Sequence, residues 1–211
     1  MNHLPEKILP ADIEKRSFEI ITEELGERAL TLPADIAPVV KRVIHTTADF
    51  SYYDTLCFSE NVVPKLREAI KAGACIVTDT EMAKSGINKR RLQQYGGEVL
   101  CFMSDPEVAE EAKQRGVTRA CVSMEHAAAL EKPLIFAVGN APTALISLYE
   151  LLQNGFRPQG IIGVPVGFVN VVEAKELILS QNDVPYIVAR GRKGGSNVAA
   201  AIVNALVYGI A

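Results

Sequence analysis

The feature that most constrains this chain is a series of short segments that are apolar at nearly every position. ACIVTD (74–79), EVLCFM (98–103), PLIFAVG (133–139), GIIGVPV (160–166) and PYIVAR (185–190) lack the alternation of a strand with one wet face. Helical patterns lie between and around them. Glu14–Leu25 carries Phe18, Ile21 and Leu25 on one face, and Ala34–Thr47 turns Ile36, Val39, Val40, Val43 and Ile44 inward. Asn61–Ala72 is closed by Gly73. Asp105 and Pro106 read as a cap and first turn, and Pro142–Gln153, Val172–Ser180 and Ser196–Tyr208 follow later strands. Fully apolar strands alternating with helices require a parallel sheet covered on both faces. The expectation is an α/β fold, a three-layer α/β/α arrangement with a mostly parallel sheet of about five strands. An N-terminal helical segment covers the first seventy residues. No repeat or linker divides residues 1–211, which read as a single domain.

Composition narrows the function classes. A net charge of −3 gives no basis for a general nucleic-acid role, so any cation that matters acts locally. No segment approaches a bilayer-spanning apolar run, and the opening MNHLPEKILPADIEKRS has no apolar core of a signal peptide. The expected location is the cytoplasm. Cys57, Cys75, Cys101 and Cys121 form no C-x-x-C pair and no metal spacing with histidine, so reduced, mostly buried thiols are expected and no metal site.

In an open α/β sheet, ligands lie beyond the carboxyl ends of the strands. Four segments in that position are unusual: Asp79-Thr80-Glu81-Met82, Gly139-Asn140-Ala141-Pro142-Thr143, Gly163 to Phe168, and Arg190 to Ser196. The last, RGRKGGS, combines three glycines with Arg190, Arg192 and Lys193 ahead of a helix. Close backbone approach, free N–H groups and full positive charge suit an anion, carboxylate above all. The competing reading is a flexible turn with solvated cations. The segment is neither a Walker A loop nor G-x-G-x-x-G, which disfavours nucleotides. Asn140 is equally compatible with simple helix capping. Gly163 and Gly167 allow close approach beside an apolar Phe168. Asp79 and Glu81 read better as caps than as acid–base groups.

Histidine is the side chain suited to proton transfer near neutrality. His3 sits in the terminus, and His126 lies among alanines on a polar helix. His45 ends an amphipathic helix and precedes Thr46, Thr47 and Asp49. On chemistry alone it fits a helix-dipole partner as well as a catalytic group.

Several segments together resemble the precorrin-8X methylmutases (precorrin isomerases) and their cobalt-precorrin-8 counterparts. They are Glu14-Lys15-Arg16-Ser17-Phe18, RVIHTTADF (42–50), TDTEMAKSGI (78–87), GVTR (116–119), VGNAPTAL (138–145), GVPVGFVNVVEAKE (163–176) and RGRKGGS (190–196). They run in order over nearly the whole chain. The resemblance implies an isomerase of corrin-ring biosynthesis that moves a methyl group from ring position 11 to ring position 12. It implies a catalytic His45 that protonates the macrocycle, with no redox cofactor and no metal required. The implied partner is a polycarboxylate tetrapyrrole, and the implied assembly a homodimer, with no nucleic acid or membrane involved. It assigns Ser17, Thr80, Arg119, Asn140, Thr143, Gly167, Phe168, Arg190, Arg192 and Ser196 to substrate binding, with Val166 and Val169 as apolar wall. Ala120-Cys121 after Arg119 departs from the serine and small residues expected there. The remaining alternatives are an α/β enzyme for a smaller anionic metabolite and a non-catalytic corrinoid carrier.

Overall fold

The computed structural model describes residues 9, 10 and 12–210, so His3 lies outside them. The chain opens with helices α1 (Ile13–Leu25), α2 (Glu27–Thr31), α3 (Ala37–Thr47) and α4 (Tyr52–Thr55). Strand β1 (Leu56–Phe58) and helix α5 (Val62–Lys71) lead into the alternating part. There, β2 (Cys75–Thr78) is followed by α6 (Glu81–Gly86) and α7 (Lys89–Gln93), and β3 (Val99–Leu100) by α8 (Pro106–Arg115) and α9 (Arg119–Ala128). Then come β4 (Leu134–Val138), α10 (Pro142–Gln153), β5 (Gly160–Gly163), α11 (Val171–Ser180), β6 (Tyr186–Ala189) and α12 (Ser196–Tyr208).

The strands form one six-stranded sheet in the order β1-β6-β5-β4-β2-β3. All neighbours are parallel except the edge pair, where Leu56, Cys57 and Phe58 run antiparallel to Ala189, Val188 and Ile187. The α/β expectation holds, with a sheet one strand larger. The first seventy residues therefore do more than form a helical layer: they contribute an edge strand. Three residues flanked by polar ones carry too little periodicity to read as a strand. Helix α3 begins at Ala37 rather than Ala34, because Pro33 to Ile36 form a preceding turn. Asp105 stands at the N-cap of α8 but makes no side-chain capping bond.

Successive strand residues point to opposite faces. Ile76, Ile135, Ala137, Ile162 and Ile187 join a core built with α1, α3, α5 and α12. Cys75, Val77, Phe136, Val138, Ile161 and Val188 join a second core with α9, α10 and α11. Helix α12 is central to the first: Val198 through Val203 are all buried. The β2–β3 connection lies on the α12 side, where α6 packs against α12, and the later crossovers lie on the opposite face. The winding direction therefore reverses between β2 and β4. That reversal opens a crevice at their carboxyl ends, the usual ligand position in such sheets.

Phe136 is fully buried at the centre of the sheet and packs edge-to-face on Phe156 with ring centroids 5.9 Å apart. Phe136→Ala is expected to lower unfolding free energy by about 3–5 kcal/mol in urea denaturation. A loss under about 1 kcal/mol would mean the second core does not support the sheet.

Candidate active site

Asp79 occupies the crevice. It follows β2, is fully buried, and accepts hydrogen bonds from the backbone N–H groups of Gly139, Asn140 and Ala141 at 2.8, 2.8 and 2.6 Å. Burial pushes its carboxyl up from the ordinary value, while the three N–H donors pull it down. The carboxylate thus fixes the loop that enters α10. It caps a neighbouring strand's loop rather than its own helix, which Thr80 caps by accepting from the Ala83 N–H. Asn140 does not cap α10: the N-cap is Ala141, and Pro142 takes the first turn.

The start of α12 closes the crevice from the other side. The Ser196 hydroxyl lies 2.8 Å from that of Thr80. A Cβ on Gly139 would stand 2.6 Å from the Ser196 Cα, so only glycine fits there. The Arg190–Ser196 loop is held at several points. Gly195 N–H donates to the Val164 carbonyl, and Gly167 N–H to the Arg192 carbonyl. A Cβ on Gly194 would fall 2.1 Å from the Val164 oxygen, so glycine is required there too. Beneath the loop, fully buried Lys175 donates to the carbonyls of Gly191 and Lys193 at 2.7 and 2.8 Å. Burial lowers its pKa from 10.5 to about 8.

The loop is also tied to the segment after α3. Lys193 Nζ donates to Asp49 at 2.6 Å and to the Ser51 hydroxyl at 2.9 Å, and the Lys193 contact lowers the Asp49 pKa to about 2. This brings the His45-bearing helix to the same edge. The His45 ring is exposed at the end of α3, tilts against the Phe18 ring at 5.4 Å, and has no hydrogen-bond partner among the described residues. Ser17, next to Phe18 on α1, spends its hydroxyl proton on the Ile13 carbonyl.

The other candidates fall into linked groups. Arg192 lies over the Phe168 ring at 5.5 Å and forms no ion pair among the described residues. Phe168 is 80 % and Val169 78 % exposed, an unusual apolar display. Thr143 meets Thr118 hydroxyl to hydroxyl at 2.8 Å, and Arg119 beside it donates weakly to the Met103 carbonyl with no carboxylate partner. Arg190 differs from its neighbours: its guanidinium is paired with Glu176 at 3.0 Å, which raises its pKa. Among the described residues no hydrogen bond or ion pair joins His45 to Arg119, Asn140 or Thr143. His126 pairs with Glu111 at 2.8 Å on the α8–α9 surface, away from this edge.

Asp79 as a loop anchor and Lys175 were not foreseen as site residues. Lys175 had a readable signal: Val171, Ala174, Lys175 and Ile178 follow the i, i+3, i+4, i+7 spacing of a buried stripe. A cavity of 780 Å³ runs along α1 between Glu14, Lys15, Phe18, Glu19, Thr22 and Glu23. Three glutamates against one lysine suit a polyanion poorly. All four cysteines are free, with Cys75 and Cys101 buried. Among the described residues no group of three His, Cys, Asp or Glu side chains is arranged to hold a metal, and no helix is long and apolar enough to cross a membrane.

Fold and loops together define a doubly wound α/β protein whose switch-point loops carry the exposed arginines Arg119 and Arg192. The family model for precorrin-8X methylmutase matches residues 12–209. A cobalt-precorrin-8 methylmutase of Salmonella typhimurium is 47 % identical over 204 residues, covering 94 % of this chain and 95 % of that protein. A precorrin-8X methylmutase of Pseudomonas aeruginosa is 38 % identical, covering 92 % and 93 %. The crystal structure of a precorrin-8X methyl mutase from Thermus thermophilus superposes with a TM-score of 0.84 at 40 % identity, over 93 % of this chain and 96 % of that one. The chain belongs to the precorrin-8X methylmutase family, isomerases of cobalamin biosynthesis.

Asp79→Ala removes the acceptor of three N–H groups in the crevice. It is expected to cost about 2–5 kcal/mol of stability in denaturant unfolding, as for other stranded buried donors. Stability within about 0.5 kcal/mol of wild type would mean water replaces the carboxylate without cost.

Proposed function

We propose that this protein moves a methyl group from ring position 11 to ring position 12 of precorrin-8X or cobalt-precorrin-8, giving hydrogenobyrinate or cobyrinate, with His45 as the proton donor. The observation that carries the reading is the family match over residues 12–209, whose loop segments converge on one sheet edge. Cobalt, where present, belongs to the substrate. The carbon–carbon bond at position 11 breaks and one at position 12 forms. His45 lends a proton to a ring nitrogen, which draws electron density from the conjugated system, and takes it back afterwards. Nothing is oxidised or reduced, and atoms balance within the substrate.

The chain's own groups suit these tasks. Both nitrogens of the His45 ring are unengaged among the described residues, and the ring packs beside that of Phe18. Arg119 and Arg192 carry guanidinium groups without carboxylate partners among the described residues, suited to bidentate binding of acetate or propionate side chains. Arg190 joins them only by leaving Glu176. In this reading Thr80, Asn140, Thr143, Gly167 and Ser196 add polar and close-approach contacts to the substrate, and the Thr80–Ser196 hydroxyl pair supports their grouping. Exposed Phe168, Val166 and Val169 offer an apolar surface to the ring face. The homodimer implied by the family resemblance is part of this proposal. A sedimentation mass of one chain would remove it.

His45→Ala is expected to lower turnover by about 10²–10⁴-fold, the usual contribution of a general acid, while fold and product affinity persist. The assay is absorbance and product mass with precorrin-8 in metal-free and cobalt forms. Wild type should give a product of unchanged mass from substrate alone. A product of different mass rejects the isomerase reading, and near-normal turnover by folded His45→Ala rejects the proton donor.

Arg192→Ala is expected to weaken product binding about tenfold at low ionic strength and less at high ionic strength. Spectral titration at two salt concentrations reads this directly. Equal affinities would leave Arg192 as a solvated surface cation.

A further inference from the structure

The mechanism above makes no use of Lys175, yet this is among the costliest residues in the chain. It sits on the sheet-facing side of α11 with no exposed surface. An ammonium group in such a place ordinarily pairs with a carboxylate. Here its hydrogen bonds go to two backbone carbonyls, those of Gly191 and Lys193. The adjacent acid, Glu176, is turned to Arg190 on the surface. A buried charge kept without a counter-ion calls for an account in terms of what it orders.

Peptide geometry supplies one. In a trans peptide the carbonyl of one residue and the N–H of the next point in opposite directions, and these peptides are trans. With the Gly191 and Lys193 carbonyls turned down onto Lys175, the N–H groups of Arg192 and Gly194 are turned away from it. Neither has a hydrogen-bond partner among the described residues, although Gly195 N–H in the same loop does. Carbonyls that converge on one ammonium send these N–H groups outward on the far side of the glycine-rich loop, where anionic oxygens can meet them. The Arg192 guanidinium, itself unpaired, belongs to the same residue as one of them.

We propose that Lys175 is a positioning residue that orients two peptides of the Arg190–Ser196 loop, so that the Arg192 and Gly194 N–H groups are presented to carboxylates of the tetrapyrrole. The proposal rests on the methylmutase reading for its ligand. It assigns recognition to the backbone, with the arginine side chain as a second contact. Its unusual element is that the deciding side chain never meets the substrate. That Lys175 has no ion-pair partner among the described residues follows naturally: a carboxylate bound to it would compete for the ammonium and release the carbonyls. The low pKa of about 8 that burial gives this lysine agrees with a cation held by dipoles alone.

The test combines steady-state kinetics with amide hydrogen exchange. Lys175→Met is expected to raise KM about tenfold, the size of one charge-assisted hydrogen bond, and to change kcat less. Lys175→Arg, which keeps the charge and the donors, should recover part of the loss. A folded Lys175→Met enzyme with wild-type KM overturns the proposal. Should that variant fail to fold, wild type alone decides. Adding the corrinoid product should slow exchange of the Arg192 and Gly194 amides, and unchanged exchange at both overturns it. Wild type that isomerises neither form of precorrin-8 rejects the methylmutase reading itself, and this proposal with it. Active wild type with no KM effect in Lys175→Met rejects the Lys175 role alone.

Discussion

Gly139 lies so close to the first residues of α12 that even a methyl group there would meet the Ser196 backbone at 2.6 Å. This approach fixes the geometry of the whole edge. It brings the loop after β4 against the loop after β6, although β5 separates the two strands in the sheet. Asp79 reinforces it by binding the N–H groups of the β4 loop, and the Thr80–Ser196 hydroxyl pair links β2's loop to the same point. The crevice left by the reversal of winding is thereby narrowed by backbone contacts. Side chains at its rim sit on a rigid base, as precise binding requires.

Charge at this edge is divided by depth. The buried ions, Asp79 and Lys175, both act on backbone groups, one on N–H donors and the other on carbonyls. Among the described residues the exposed ions Arg119 and Arg192 have no carboxylate partner, whereas Lys193 is committed to Asp49 and Arg190 to Glu176. Desolvation explains the division. A buried charge keeps its worth only if every neighbour is fixed, so it serves architecture. An exposed guanidinium keeps its hydration until a ligand arrives, so it serves recognition.

Much of the fold was legible because burial and periodicity report the same thing. Helices Pro142–Gln153 and Ser196–Tyr208 have the limits that their apolar patterns predict, and each of the five apolar runs contains a strand, shortest in 98–103, where only Val99–Leu100 pair. The edge strand Leu56–Phe58 was not legible, since three residues define no period and its pairing partner lies more than a hundred residues away. The candidate site was readable as loops but not as contacts. RGRKGGS announces a close backbone approach through its glycines, yet nothing in the string says that Lys193 turns to Asp49 while Arg192 stays unpaired. Asp79 looked like a local cap because sequence distance hides a partner sixty positions on. Lys175 was the readable miss: its helical phase places it inside, where a lysine needs a reason.

The antiparallel edge strand carries a consequence for the order in which the molecule can assemble. Through β1 and β6, and through the Asp49–Lys193 ion pair 144 positions apart, the layer bearing His45 is stapled to a strand made near the other end of the chain. A nascent chain holding everything up to β5 has the histidine but no loop for it to face. Contacts of such long sequence separation close late and slowly. The geometry of the candidate site therefore appears only with the last strand and helix, and a partly folded chain would not display it.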